Sequence, residues 1–139
     1  MILPDTSVWV DYLRARPPTA GGIPDPSPAE SLDALIQQEL VLTCGPVVAE
    51  LLAGARGRGR TELAEQLGAQ PWVELGRADW LKAGEVAAGL QERGETVPLV
   101  DIQIAICAAG AKAELWTFDG DFRRIAEVLD GLQLRVFEV

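Results

Sequence analysis

Residues 99–113 restrict the fold more than any other segment. They are apolar throughout apart from Asp101, Gln103 and Lys112. A helix that is apolar on every side must be covered on every side, so this one belongs at the centre of a domain. Around it, short apolar runs alternate with helical patterns. Residues 1–5, 40–43, 72–75, 114–118 and 134–139 read as strands. Helices are predicted from near Val8, from Pro28, and over 46–54, 61–67, 77–93 and 122–129. Thr6-Ser7 is placed to cap the first. Ser27-Pro28-Ala29-Glu30 forms a capping box with proline at the first helical position, and residues 16–28, rich in Pro and Gly, read as the loop before it. Leu32, Leu35 and Ile36 form the apolar face of that second helix. Trp80, Leu81, Gly84, Ala87, Ala88 and Leu90 are assigned to the inner side of the 77–93 helix, which Gly94 ends. The alternation predicts one α/β domain over 1–139, a mostly parallel sheet with helices on both faces.

At 139 residues the chain can bury a core without disulfides or structural metal. It contains no histidine. That excludes Ser-His-Asp and Cys-His catalysis and His-ligated zinc. Twelve basic against twenty-one acidic residues give a net charge of −9, which argues against generic, charge-driven binding to nucleic acid. Cys44 and Cys107 fit no metal or redox spacing and read as buried structural thiols. No signal peptide or bilayer-spanning run is apparent, so a cytoplasmic protein is expected.

Hydrolytic chemistry would therefore rest on carboxylates. Asp5 and Asp119 each follow a strand. In open parallel sheets ligands bind beyond the carboxyl ends of the strands, near the reversal in strand order. Neighbouring strands would bring both aspartates to one crevice. Taken singly, each also reads as a helix N-cap. Glu50 reads alone as a solvated helix edge, and Asp101, opening the most apolar helix, as another N-cap. Four carboxylates in one cleft repel one another unless a cation neutralises them. All-oxygen ligation favours Mg²⁺, with Mn²⁺ as substitute, over Zn²⁺. The chemistry that suits such a site is metal-assisted water attack on a phosphodiester.

Four segments in order carry a resemblance. They are Asp5-Thr-Ser-Val-Trp-Val-Asp-Tyr-Leu13, Pro46-Val-Val-Ala-Glu-Leu-Leu-Ala-Gly-Ala-Arg56, Asp101-Ile-Gln-Ile-Ala105 and Leu115-Trp-Thr-Phe-Asp-Gly-Asp-Phe122. Together, over nearly the whole chain, they resemble the PIN domain family, in particular its VapC ribonuclease toxins. The resemblance implies a Mg²⁺-dependent endoribonuclease acting on RNA as the toxin of a toxin–antitoxin pair. It implies a metal site and catalytic set at Asp5, Glu50, Asp101 and Asp119, with Asp121 as a further acidic ligand and Thr6 and Thr117 as supporting hydroxyls. It also implies a homodimer held inactive by a cognate antitoxin. The alternative is a PIN-like module that binds RNA or protein without cutting.

Two features depart from that pattern. Pro4 stands where the family usually has an aliphatic strand residue, which would shorten the strand or displace Asp5. The 16–28 loop is long. Arg56, Arg58 and Arg60 lie in a basic, glycine-rich turn after Glu50 and are candidates for RNA phosphates, Arg56 foremost. Other readings fit less well. Asp119-Gly-Asp-Phe has the Asp-x-Asp form of some phosphatases but lies near the chain's end rather than opening it. No lysine follows a glycine as in a phosphate-binding loop, and residues 54–59 lack dinucleotide-binding spacing.

Overall fold

A computed structural model describes residues 1–14 and 28–138. The elements run β1 (Ile2–Pro4), α1 (Thr6–Leu13), α2 (Pro28–Gln37), β2 (Thr43–Cys44), α3 (Gly45–Gly54), α4 (Gly57–Gly68), β3 (Trp72–Val73), α5 (Arg77–Glu92), α6 (Leu99–Gly110), β4 (Glu114–Thr117), α7 (Phe122–Val128) and β5 (Gln133–Val136). Every strand pairing is parallel. Leu3 lies opposite Leu115, and Leu115 opposite Leu134, so β4 sits between β1 and β5. On its other side β1 meets the chain just before β2. Ile2 bridges to Val41, donating to the Leu40 carbonyl and accepting from the Leu42 N–H. The order across the chain is therefore β3-β2-β1-β4-β5, and it reverses between β1 and β4. All the carboxyl ends face one edge, and the reversal is where a crevice opens.

The α/β expectation holds, and α6 is the buried helix that residues 99–113 demanded. Its Ile102, Ile104, Ala105, Ile106, Cys107 and Ala108 are all buried. Among the described residues no helix is long and apolar enough to cross a membrane.

Pro4 does not displace Asp5. By the alternation of a strand, the N–H that proline lacks would point to the same side as that of Ile2, toward β2, so its absence costs β1 no bond to β4 and only stops the Ile2–Val41 bridge from extending. Asp5 points the other way, and its N–H reaches the Trp116 carbonyl at 2.9 Å. Pro28 is the first residue of α2, as predicted, and Leu32 is fully buried. Ser27 of the proposed capping box and loop residues 16–27 lie outside the described residues.

Several local readings are corrected. The first helix starts at Thr6, two residues earlier than Val8, because Asp5 rather than Thr6-Ser7 caps it, accepting from the Val8 N–H. The strand expected at 40–43 forms at Thr43–Cys44. The basic turn is mostly helix, since α4 begins at Gly57. Leu90 of α5 is buried as predicted, but the rest of the buried side is Ala83 and Val86, whereas Trp80 is 52% and Leu81 68% exposed. Ala83, Val86 and Leu90 recur at helical spacing and form the side turned to the core, and Leu81 lies off that stripe. Trp80 continues the buried stripe one turn beyond, where it overhangs open space. Gly94, at φ 73°, takes the left-handed conformation that ends α5.

Leu90→Ala should lower the urea-unfolding free energy by about 2–5 kcal/mol through the cavity it leaves. Leu81→Ala should change it by less than about 0.5 kcal/mol. Equal losses would contradict this orientation of α5.

Candidate active site

Asp5 follows β1 and Thr117 ends β4, so the pairing of these strands sets them side by side. Asp5 is buried, and burial pushes its carboxyl above the usual range. Hydrogen bonds from Ser7, Thr117 and the Val8 and Ser7 N–H groups oppose the shift. Its Oδ1 accepts from Ser7 Oγ at 2.5 Å and from the Val8 N–H at 3.2 Å. Its Oδ2 accepts from Thr117 Oγ1 at 2.6 Å. Each carboxylate oxygen has two lone pairs, so Oδ2 keeps one for a ligand. Asp5 is thus both helix cap and available donor.

Thr117 Oγ1 also accepts the Asp119 N–H at 2.9 Å. Asp119 Oδ1 in turn accepts the Asp121 N–H at 2.9 Å. This chain of bonds shapes the turn after β4 and holds two exposed carboxylates at its rim. Across the crevice, Glu50 on α3 is exposed and accepts from Thr6 Oγ1 at 2.6 Å. Asp101 lies in the first turn of α6. It caps nothing, because Pro98 occupies the N-cap position.

Asp101 is the electrostatic centre. Burial, followed by the charges of Asp119, Glu50, Asp5 and Asp121, pushes its carboxyl up to about 6. The four sequence candidates and Asp121 therefore share one field. Among the described residues the only ion pair to any of the five is Arg124–Asp121, at a long 4.0 Å. No group of three or more acidic or cysteine side chains, among those described, is gathered tightly enough to hold a metal ion directly. The donor chemistry nonetheless fits a hydrated Mg²⁺, which keeps several waters and needs one or two direct carboxylates.

Thr6 and Thr117 both touch the acidic residues, one on Glu50 and the other on Asp5. Ser7 was read from the sequence only as a cap. It bonds Asp5 and also accepts the Phe118 N–H at 3.0 Å, fastening α1 to the end of β4. The Asp-Thr-Ser triplet was the available signal, with one hydroxyl for each of two carboxylates.

The three arginines separate. Arg60 folds back onto the end of α3, donating to the Ala55 carbonyl at 2.7 and 3.0 Å and to that of Leu52 at 3.2 Å. These bonds engage Nε and one Nη of the exposed guanidinium on the C-terminal end of α3. Arg56 is the N-cap residue of α4 and makes no side-chain cap bond, and Arg58 is exposed on its first turn. Arg123 was not singled out from the sequence, yet its guanidinium lies against Gly120, 3.0 Å from where a Cβ would stand. That places a cation beside the Asp119–Asp121 turn. Cys44 and Cys107, distant in sequence, are both buried and free.

The model of the PIN domain family matches residues 2–128. The chain belongs to the PIN domain family. VapC ribonuclease Mb1587 of Mycobacterium bovis and ribonuclease VapC11 of Mycobacterium tuberculosis are each 31% identical over 133 residues, covering 92% of this chain and 93% of theirs. Among solved structures, VapBC2 from Rickettsia felis bound to a DNA fragment from their promoter superposes with a TM-score of 0.72 at 20% identity, over 99% of this chain and 100% of that one. At that identity the likeness bears on fold alone. The PIN fold matches the α/β architecture described above.

Asp101 carries a prediction. Its folded pKa of about 6 exceeds the ordinary 3.8, so the metal-free folded state holds the proton more tightly than the unfolded chain does. The associated stability is present below pH 3.8 and is lost as pH rises through about 6. Asp101→Asn should therefore match wild type near pH 4 and exceed it at pH 7. The gain should be about 1 kcal/mol, discounted from the full shift because the group is only partly buried. Urea melts of the chelated proteins at both pH values would check this. A variant less stable at pH 7 would contradict it.

Proposed function

We propose that this chain is a Mg²⁺-dependent endoribonuclease and the toxin of a toxin–antitoxin pair. The observation that carries the reading is the set of five carboxylates at the reversal of strand order, four of them acting on Asp101. Such mutual repulsion is costly, and a divalent cation relieves it. Kinship with VapC ribonucleases over nearly the full length supplies the substrate class.

Asp5, Asp101 and Asp119 are the residues assigned to hold the cation, with Glu50 and Asp121 at its margin. When bound, Mg²⁺ lowers the pKa of water and stabilises negative charge on a phosphodiester. Asp5 is held by three side-chain and backbone donors, so its free lone pair has a fixed direction. Asp101, whose metal-free pKa is raised to about 6 by burial and its acidic neighbours, is the carboxylate whose ionisation a bound cation would favour most. Thr6 keeps Glu50 turned into the crevice. Arg56 and Arg58 remain as the phosphate contacts on the α4 side, and Arg123 is a further one beside the late turn.

A cytoplasmic setting, a homodimer and a cognate antitoxin complete the proposal. The apolar surface at Leu81 and Leu99, 68% and 52% exposed, is available for such contacts. The rival, a PIN-like binding module without catalysis, has one observation in its favour: the described carboxylates are not drawn together tightly enough to grip an ion directly.

Cleavage of a labelled RNA pool decides between them. Wild type should cut with Mg²⁺ and not with chelator. Asp5→Asn should cut at least about a hundredfold more slowly, since it weakens one cation donor and its hydrogen-bonded frame. No metal-dependent cutting by folded wild type would favour the binding module. In the same assay Arg56→Ala should weaken RNA binding and flatten its dependence on salt. An unchanged slope would remove Arg56 from the interface.

A further inference from the structure

A groove of about 360 Å³ opens beside the acidic crevice. That volume is within the range of small-ligand sites, about 300–1,000 Å³. Its walls are Pro46 of α3, Val73 of β3, Leu75 and the Trp80 ring, and its polar groups are Glu74 and Gln103. The position follows from topology. The groove lies at the carboxyl ends of β2 and β3, the same edge at which Asp5 and Asp119 follow β1 and β4. Pro46 precedes Glu50 by one turn of α3, so the two share one face of that helix, and Ala49 beside Glu50 also lines the groove. A polymer lying across the acidic residues would pass over it.

The chemistry restricts the occupant. An indole that is 52% exposed, flanked by proline, valine and leucine, offers a flat apolar surface. Glu74 and the neighbouring carboxylates repel phosphate, so the backbone of a nucleic acid is disfavoured within the groove. An unpaired base has an aromatic face for Trp80 and edge donors for Glu74. Guanine alone among the four bases presents two adjacent N–H donors, N1 and N2, to one carboxylate. The Gln103 amide supplies a donor and an acceptor for the remaining edge.

We propose that this groove binds one unpaired guanine of the RNA substrate, stacked on Trp80 and selected by Glu74, next to the bond that is cut. The assignment rests on the ribonuclease reading above and adds a base preference to it.

The test maps cut positions in a randomised single-stranded RNA treated with the full chain and Mg²⁺. Wild type should show guanine enriched at a fixed offset from the cut. Glu74→Gln should lose that enrichment, because an amide presents one acceptor where the carboxylate presents two. Trp80→Ala should lower kcat/KM on guanine-containing RNA about tenfold, and Trp80→Phe should restore most of it. Circular dichroism confirms folding, and Glu74→Gln, an exposed substitution, keeps the test open if Trp80→Ala fails to fold. Wild-type cutting whose base preference survives in both Glu74→Gln and Trp80→Ala overturns the guanine site and leaves the nuclease intact. A Trp80→Ala protein that changes from dimer to monomer with its guanine preference intact shows a subunit contact instead. No cutting of any RNA with Mg²⁺ or Mn²⁺ overturns both readings.

Discussion

The buried hydrogen bond from Thr117 to Asp5, 2.6 Å long, joins the last residue of β4 to the first residue after β1. Both ends have further duties. Asp5 caps α1, and Thr117 shapes the turn that carries Asp119 and Asp121. One contact thus couples the central strand pairing, the start of a helix and the acidic rim. It also explains how a carboxylate with little exposure is tolerated: burial raises its pKa, and hydrogen bonds from Ser7, Thr117 and the Val8 N–H oppose that rise. Without the hydroxyls of Thr117 and Ser7, the same position would favour a neutral acid and a poor cation donor.

The arrangement has an electrostatic cost. Asp101 stands where four other carboxylates raise its pKa, and the cations nearby are committed elsewhere or lie at the rim. Arg60 closes the end of α3, and Arg124 stands at 4.0 Å from Asp121. The proposed cation would relieve this repulsion. Departures from ideal packing tend to cluster where function demands them. Here the departure is charge, placed at the reversal of strand order.

Much of this was legible in the sequence. The apolar run over 99–113 required a central helix, and α6 is that helix. Aspartates following β1 and β4 reach one crevice because those strands are neighbours, a tertiary fact the sequence could only pose as a condition. Other features were illegible for identifiable reasons. The N-cap reading of Asp5 holds, but that it excludes Thr6-Ser7 was not legible, because Thr6 and Ser7 serve partners fixed by the tertiary fold. The face of α5 was only partly legible, because Leu81 and Trp80 are as apolar as the residues that face the core, Ala83, Val86 and Leu90. Arg60 seemed free because its partners are backbone carbonyls, which composition does not reveal. Pro4 proved harmless because strand parity turns its missing donor away from β4.

The central claim is that these carboxylates share a divalent cation. Crystals soaked in Mn²⁺ would show it most directly, through the anomalous scattering of that ion. The account predicts a peak bonded to Asp5 Oδ2 and to at least one of Asp101 and Asp119, and its loss in Asp5→Asn. A peak elsewhere on the surface, or none while Mn²⁺-dependent RNA cleavage persists in solution, would contradict it.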